Sequence, residues 1–159
     1  MNQANELVLR KLMAISDYQF GPKITDILFQ NPNNIEIERS KNTNKIRYVY
    51  ENEQLLLTLK PTVGFFTITF LSALKIIENT KPPKMRTIVL TEISEFIKKG
   101  RNVFCKHVID VDKNLRPNDE VIVVNEEDNL LAIGRIKIPI DYILSFKRGV
   151  AIDVRKGIL

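Results

Sequence analysis

A short helix followed by a strand is predicted where residues 91–111 have the sequence TEISEFIKKGRNVFCKHVIDV. Thr91 is a typical N-cap residue, and the apolar side chains of the next two turns recur at helical spacing. Two lysines before Gly100 suit the negative end of a helix, and glycine is the usual residue in the left-handed turn that ends one. The run from Val103 to Val111 is rich in apolar and β-branched residues and therefore predicts a strand.

The same pattern recurs between residues 141 and 155. Asp141 is the predicted N-cap, residues 142–146 form the helix body, and a basic pair and Gly149 follow. Strand alternation then predicts that Val150, Ile152 and Val154 face the core and that Ala151, Asp153 and Arg155 face outward. Both helices are thus predicted to end in two cations and a glycine.

The rest of the second half is predicted to be mostly β. Further strands are predicted at Thr87–Leu90, Glu120–Val124 and Leu130–Ile138, separated by polar turns. Several short strands with little helix between them are typical of a small barrel.

The first half is predicted to be an α+β domain with an antiparallel sheet. A buried helix is predicted from about Glu6 to Tyr18 and ends near Gly21. Strict alternation over Ile35–Arg39 predicts a half-buried strand. Further strands are predicted at 46–50, 55–59 and 65–70, with helical segments at 24–28 and after residue 70.

A domain boundary is predicted at residues 81–84, KPPK. Two consecutive prolines block helix continuation and favour extended geometry in the residue before each. We therefore expect an α+β domain over 1–80 and a mostly β domain over 85–159.

Composition favours a globular protein with an anionic partner. The 159 residues carry a formal net charge of +5. One cysteine, Cys105, and one histidine, His107, exclude a disulfide framework and a Cys/His zinc cluster within the chain, and we expect no metal and no cofactor. No apolar run approaches the roughly 18 residues of a membrane span, and the N-terminus lacks a signal-peptide core, so we expect a cytoplasmic protein.

Enzyme activity in this chain alone is not expected. Cys105 and His107 alternate on one face of the predicted strand, so a nucleophile pair is an alternative to a structural role, although no orienting acid is evident. Asp110 and Asp112 share a strand face and could bind a metal, but a solvated acidic rim is the favoured interpretation.

The basic residues at the two helix ends have two interpretations. They could compensate the helix dipoles, or, if the two ends converge, they could seat a phosphate beside the exposed amides of Gly100 and Gly149. Phe104 could offer a stacking face to an unpaired base, with a buried core position as the favoured alternative. The sequence pattern alone leaves both interpretations of the basic residues open.

The second half resembles a PUA domain of the archaeal subgroup over residues 85–159. Four motifs carry the resemblance in order: FIKKGRNVFCK at 96–106, LRPNDEVIVV at 115–124, LLAIGR at 130–135 and FKRGVAIDVR at 146–155. PUA domains are small pseudo-barrels that bind structured RNA, so the resemblance implies an RNA surface on the first helix, the turn at Gly100 and the final strand. The expected RNA-binding residues are Lys98, Lys99, Gly100, Arg101, Lys106, Lys147, Arg148, Gly149 and Arg155.

The first half resembles the domain that precedes PUA in archaeosine tRNA-guanine transglycosylase. DYQFG at 17–21, KIRYVY at 45–50, LLLTLKP at 55–61 and GFFTI at 64–68 carry this similarity. In that family the two C-terminal modules grip tRNA, while zinc and the active site lie in a separate barrel that has no counterpart here. Arg47 and Lys60 are weaker candidates in this half, with ordinary solvation as the alternative.

Four functional hypotheses follow. The leading one is an RNA-binding protein for tRNA or another structured RNA. Alternatives are an accessory subunit of a separate tRNA-modifying catalytic protein and a translation-associated factor that binds the ribosome. Direct modification chemistry at Cys105 is the weakest hypothesis.

Overall fold

The computed structural model describes all 159 residues, which divide into two compact units, Met1–Asn79 and Thr80–Leu159. Residues 81–84, which the sequence analysis left between its two domains, belong to the second unit, and so does Thr80, which it placed in the first. The reason is the Arg86 side chain, which is fully buried and donates hydrogen bonds to Thr80 and to the Lys84 carbonyl oxygen. Arg86 also forms an ion pair with Asp128 at 2.8 Å.

The first unit is the α+β fold predicted, with a five-stranded antiparallel sheet in sequence order. Its elements are β1 (Asn2–Gln3), α1 (Glu6–Phe20), α2 (Pro22–Leu28), β2 (Ile35–Arg39), β3 (Ile46–Glu51), β4 (Gln54–Lys60), β5 (Phe65–Ile68) and α3 (Phe70–Asn79). A 3-10 turn, Pro32–Asn34, precedes β2. The predicted strand over Ile35–Arg39 is confirmed with the same bounds.

Local side-chain chemistry sets where the helices of this unit begin and end. The Asn5 side chain accepts a hydrogen bond from the Val8 amide and starts α1, and Gly21, with φ of 96°, ends it. The predicted strand extension to Phe70 is wrong because Thr69 and Ser72 exchange side-chain hydrogen bonds that start α3. Phe70 is therefore the first residue of the helix.

The second unit is the mostly β, barrel-like fold predicted. Its elements are β6 (Arg86–Val89), α4 (Ser94–Lys98), β7 (Val103–Phe104), β8 (Val108–Val111), β9 (Glu120–Val124), β10 (Leu130–Ile136), α5 (Ile140–Ser145) and β11 (Val150–Gly157). The strand order is β7-β11-β10-β9-β6-β8, with β6 and β9 parallel and the other pairs antiparallel. Because β7 and β8 are joined by only three residues yet lie at opposite ends of this order, the sheet must curl until it is nearly closed.

The core of this barrel is apolar and comes from nearly every strand and from both helices. The fully buried side chains include Val89, Val103, Val111, Val121, Val123, Leu131, Ile136, Ile143 and Ile152. Burial of this continuous apolar set supplies most of the stabilisation of the unit.

Three sequence predictions for this unit are wrong in detail. The strand predicted over 103–111 is interrupted by a 3-10 turn, Cys105–His107, which carries the chain from one sheet end to the other. Thr91 does not cap α4 but opens a preceding 3-10 turn and exchanges hydrogen bonds with Glu126. Asp141 lies inside α5, whose N-cap is Pro139.

The final strand also differs from its prediction. It extends to Gly157, and Ala151 is buried together with Ile152 rather than facing outward. An irregularity in the pairing with β7, between Val150 and Ile152, breaks the alternation and turns two consecutive side chains inward. Arg155 is exposed, as predicted.

Candidate nucleic-acid interface

The turn at the end of α4 has the geometry predicted for it. Gly100 has φ of 97°, its amide donates to the Ile97 carbonyl oxygen at 2.9 Å, and the Arg101 amide donates to that of Phe96 at 3.2 Å. These two bonds make a Schellman motif, which requires a left-handed residue that glycine adopts without strain. Lys99 and Arg101, on either side of Gly100, are exposed.

The end of β11 packs directly against this turn. A Cβ atom on Gly157 would overlap the Lys98 carbonyl oxygen and the Gly100 amide nitrogen. The Leu159 amide donates to the same Lys98 oxygen at 3.0 Å. Sequence reasoning missed Gly157 because the final strand was predicted to end before it, although a glycine within a strand is a recognised signal of close backbone approach.

The turn that follows α5 differs from its prediction. The helix ends at Ser145 and Phe146 is already extended, so Lys147 and Arg148 lie beyond the helix rather than in its last turn. Gly149 has φ of 100°, and its carbonyl oxygen accepts a hydrogen bond from the Cys105 amide at 2.9 Å. This bond fixes the start of β11 beside the 3-10 turn that carries exposed Lys106.

The two helix ends do not converge, as the phosphate-seat interpretation requires. Gly149 precedes β11 and Gly100 lies beside Gly157 at its far end, so the turns flank opposite ends of a strand about 26 Å long. Residues 100–105 run antiparallel beside β11 and connect them. The cations therefore form a strip along the β7 edge of the sheet rather than a single phosphate seat.

Of the predicted cations, five are exposed and form no ion pair. We call them the basic strip: Lys99, Arg101, Lys106, Lys147 and Arg148. Lys98 instead pairs with Glu95 at 3.2 Å, one turn earlier on α4. Cations without carboxylate partners can neutralise external phosphates without first breaking an ion pair.

Arg155, expected on the RNA surface, is paired with a carboxylate and is therefore not part of the basic strip. Its guanidinium makes two hydrogen bonds to the Glu120 carboxylate, at 2.7 and 3.1 Å, and the Glu120 side chain is only 4% exposed. A buried carboxylate requires such a partner, so Arg155 has a structural role in the barrel.

Comparison with known proteins identifies both units. Residues 10–83 match the family pattern of the patch-forming domain C2 of tRNA-guanine transglycosylase, and residues 85–158 match that of the PUA domain. The chain is a C2–PUA protein. PUA domains are RNA-binding modules, so the basic strip lies on a domain of that class.

The relatives in sequence are archaeal proteins named tRNA-guanine(15) transglycosylase. The chain is 36% identical to that of Methanothermobacter thermautotrophicus and 40% identical to that of Methanobrevibacter smithii. Both matches cover 94% of the 159-residue chain. It spans only 22% of the length of each of these relatives.

Two solved structures have the same fold. A hypothetical protein from Pyrococcus horikoshii OT3 matches 97% of this chain and 92% of its own, with a TM-score of 0.76 and 18% identity. A conserved PUA domain protein from Thermoplasma acidophilum matches 98% and 92%, with a TM-score of 0.69 and 13% identity. At these identities the likeness establishes the fold alone. None of the helices in the C2–PUA protein is long and apolar enough to cross a membrane.

The two RNA-binding candidates in the C2 domain are less exposed than the cations of the basic strip. Arg47 is half-buried, with its guanidinium 5.6 Å from the centre of the Tyr48 ring. Lys60 is half-buried in β4, opposite Phe65 of β5. Their packing favours a role on the sheet surface.

The PUA domain offers little support for chemistry at Cys105. The thiol is buried in the core, and this burial raises its pKa, which reduces the reactive thiolate. His107 is half-buried and packs edge-on against the Phe104 ring at 6.4 Å. The two residues lie in a 3-10 turn and not on one strand face, which corrects the predicted arrangement.

The acidic residues proposed as a metal pair have other roles. Asp112 is buried, and its carboxylate accepts hydrogen bonds from the Met85 and Asn114 amides at 2.8 and 3.0 Å. The Asp110 carboxylate accepts one from the Val111 amide. The expectation of a solvated rim is therefore wrong for Asp112. No group of three potential metal ligands occurs in the structure.

Proposed function

We propose that this protein binds structured RNA, specifically tRNA, through the basic strip of its PUA domain, and that it has no catalytic activity of its own. The observation that carries the proposal is the row of five exposed cations without ion pairs along one edge of an RNA-binding domain. The names of the archaeal relatives support tRNA as the RNA class. The buried thiol of Cys105 supports the absence of nucleophilic chemistry.

In the proposed mechanism, affinity comes from phosphate neutralisation and selectivity from RNA shape. A strip up to about 26 Å long suits successive phosphates of a polymer better than one small anion. Folded RNA presents such phosphates in a fixed geometry, so a protein can select it without reading base edges.

The salt dependence of tRNA affinity tests this mechanism. Four to six phosphate contacts predict a slope of about −3 to −5 in a plot of log affinity against log salt concentration. The variant Lys147→Ala/Arg148→Ala should reduce the steepness of that slope by about 1.5 and weaken binding to all tRNA sequences similarly.

A matched control removes two exposed cations from another part of the same domain. Lys113→Ala/Arg116→Ala causes the same loss of charge in the segment between β8 and β9, outside the strip. We expect its slope to remain that of the unaltered protein. Equal losses in the two double variants would show that net charge, and not the strip, governs binding.

A second candidate function is that of an accessory subunit for a separate tRNA-modifying catalytic protein. It is favoured by the match to about a fifth of each relative named as a transglycosylase. Co-purification from the native cell, with and without ribonuclease, distinguishes a direct protein partner from one held by shared RNA. Either role would place the protein in the cytoplasm, as expected from the sequence, and the translation-associated alternative stays a hypothesis.

A further inference from the structure

A pair of exposed stacked rings lies where α5 ends. The rings of Tyr142 and Phe146 are nearly parallel, with centroids 5.1 Å apart and planes at 4°. They are 50% and 49% exposed, although aromatic side chains usually bury most of their area. The pairing follows from helical spacing, since the Phe146 amide donates to the Tyr142 carbonyl oxygen at 2.8 Å.

The rings are not needed to anchor the helix. Ile140 and Ile143 are the buried residues of α5 and belong to the barrel core. Tyr142 and Phe146 lie on the other side of the helix, where they keep an apolar surface in contact with water. Exposed apolar surfaces of this kind often mark a binding site on a soluble domain.

A third exposed ring lies at the same end of the barrel. Phe104 is 44% exposed, so the favoured expectation that it is a core residue is wrong. It pairs with Val150 at the start of β11, only four residues after Phe146. Helix α5 also packs beside the 3-10 turn Cys105–His107, which brings the three rings to one end of the barrel.

Cations lie next to the ring-bearing residues along the chain at this end. Lys147 and Arg148 directly follow Phe146, and Lys106 follows Phe104 by two residues. All three are exposed members of the basic strip without ion pairs, and the nearby carboxylate on the same helix is that of Asp141, also exposed. An occupant should therefore combine a flat apolar face with negative charge.

We propose that the Tyr142–Phe146 pair is a stacking platform for the base of an unpaired nucleotide, with Lys106, Lys147 and Arg148 contacting its flanking phosphates. A nucleotide has the required flat face and negative charge, and stacking on aromatic rings tolerates any base. The proposal rests on the proposed RNA binding and adds that the bound RNA has an unpaired segment at this end of the barrel.

The experiment compares two RNAs with the same duplex and the same phosphates. One carries a short unpaired 3′ extension with ordinary bases, and the other carries the same extension with abasic nucleotides. We expect the protein to bind the RNA with bases about 5- to 100-fold more tightly. Tyr142→Leu/Phe146→Leu should lose this preference and bind the abasic RNA as the unaltered protein does.

A matched control is Leu144→Ala, on the same helix and 46% exposed but without a ring. It should keep the full preference for bases. Leucine retains helix propensity and apolar area in the double variant, and thermal unfolding verifies that both variants are folded. A 2-aminopurine in the extension gives a second measurement, because its fluorescence should be quenched by the unaltered protein and not by the double variant.

The outcomes separate this inference from the function on which it rests. Equal binding of both RNAs by the unaltered protein, or a preference kept in the double variant, overturns the platform while RNA binding stands; a protein partner would then be the better occupant. Failure to bind either RNA overturns both proposals.

Discussion

The turns that follow α4 and α5 share a sequence pattern but have different surroundings. The end of β11 packs against the Gly100 turn, and one of its cations, Lys98, pairs with a glutamate. The Gly149 turn has open space where a side chain would be, and its two cations lie beyond the helix without ion pairs. Helix-dipole compensation therefore explains the first set of cations and not the second. The same local motif thus ends in a packed turn in one case and in an open turn in the other, and both turns carry exposed cations of the basic strip.

The largest expected effect tests this difference in packing. Gly157→Ala should destabilise the PUA domain by about 3 kcal/mol, because its Cβ atom would overlap the backbone of the α4 turn. The Cβ atom of Gly149→Ala would contact no other atom. This variant should therefore lose only about 1–2 kcal/mol of folding free energy, the cost of a left-handed backbone for a residue other than glycine. Urea unfolding of both variants measures the difference. Equal losses would contradict the contrast between the two turns.

The next effect separates a structural cation from the strip. Arg155→Ala removes the ion pair of the buried Glu120 carboxylate and should reduce the free energy of unfolding by about 2 kcal/mol. Adding Glu120→Gln should restore part of this loss, because the amide is neutral. Thermal denaturation tests the pair against Arg101→Ala, which should change stability by less than about 0.5 kcal/mol. An Arg155→Ala variant of unchanged stability would show that the ion pair is not needed for the barrel, and Arg155 would then remain an RNA-binding candidate.

A smaller effect asks whether both ends of the strip are used together. Lys99→Ala/Arg101→Ala and Lys147→Ala/Arg148→Ala should each reduce the steepness of the salt dependence by about 1.5. Filter binding or fluorescence anisotropy with one tRNA over several salt concentrations provides both slopes. If only one double variant changes its slope, the RNA contacts one turn and the strip is shorter than proposed.

The smallest effect concerns Cys105, beside the Gly149 turn. Burial raises the pKa of its thiol in the folded protein, so folding favours the protonated form. The resulting stabilisation is present below the ordinary thiol pKa and is lost as the pH rises towards the folded-state value. Alkylation by iodoacetamide should thus be slower than in the urea-unfolded chain, with its pH midpoint shifted upwards. A rate equal to that of the unfolded chain would show an accessible, ordinary thiol.

Local sequence signals predicted much of the fold. Alternation over Ile35–Arg39 gave a strand with correct bounds, and Gly100 and Gly149 have the positive φ expected of them. Both signals act between residues close in the chain, through side-chain facing and backbone sterics. These local signals can therefore be read from the sequence without knowledge of the tertiary structure.

The site was less predictable because its geometry depends on contacts distant in sequence. The separation of the two turns is set by the pairing of β7 with β11, some fifty residues apart, and this pairing has no local signal. The guanidinium of Arg155 is held by Glu120, 35 residues earlier in the chain. Phe104 is of a residue type that is usually buried, yet its ring is exposed just before the 3-10 turn Cys105–His107.

The buried guanidinium of Arg86 bears on how the two domains can be separated. A fragment starting at residue 85 would match the family pattern yet remove Thr80 and Lys84, which accept hydrogen bonds from that side chain. The fragment would keep Asp128, but a charge buried in the interior with fewer acceptors is less stable, so such a fragment should have a lower free energy of unfolding. A fragment of the C-terminal half should therefore begin no later than Thr80. The proline-containing segment, residues 81–84, is structurally part of the barrel.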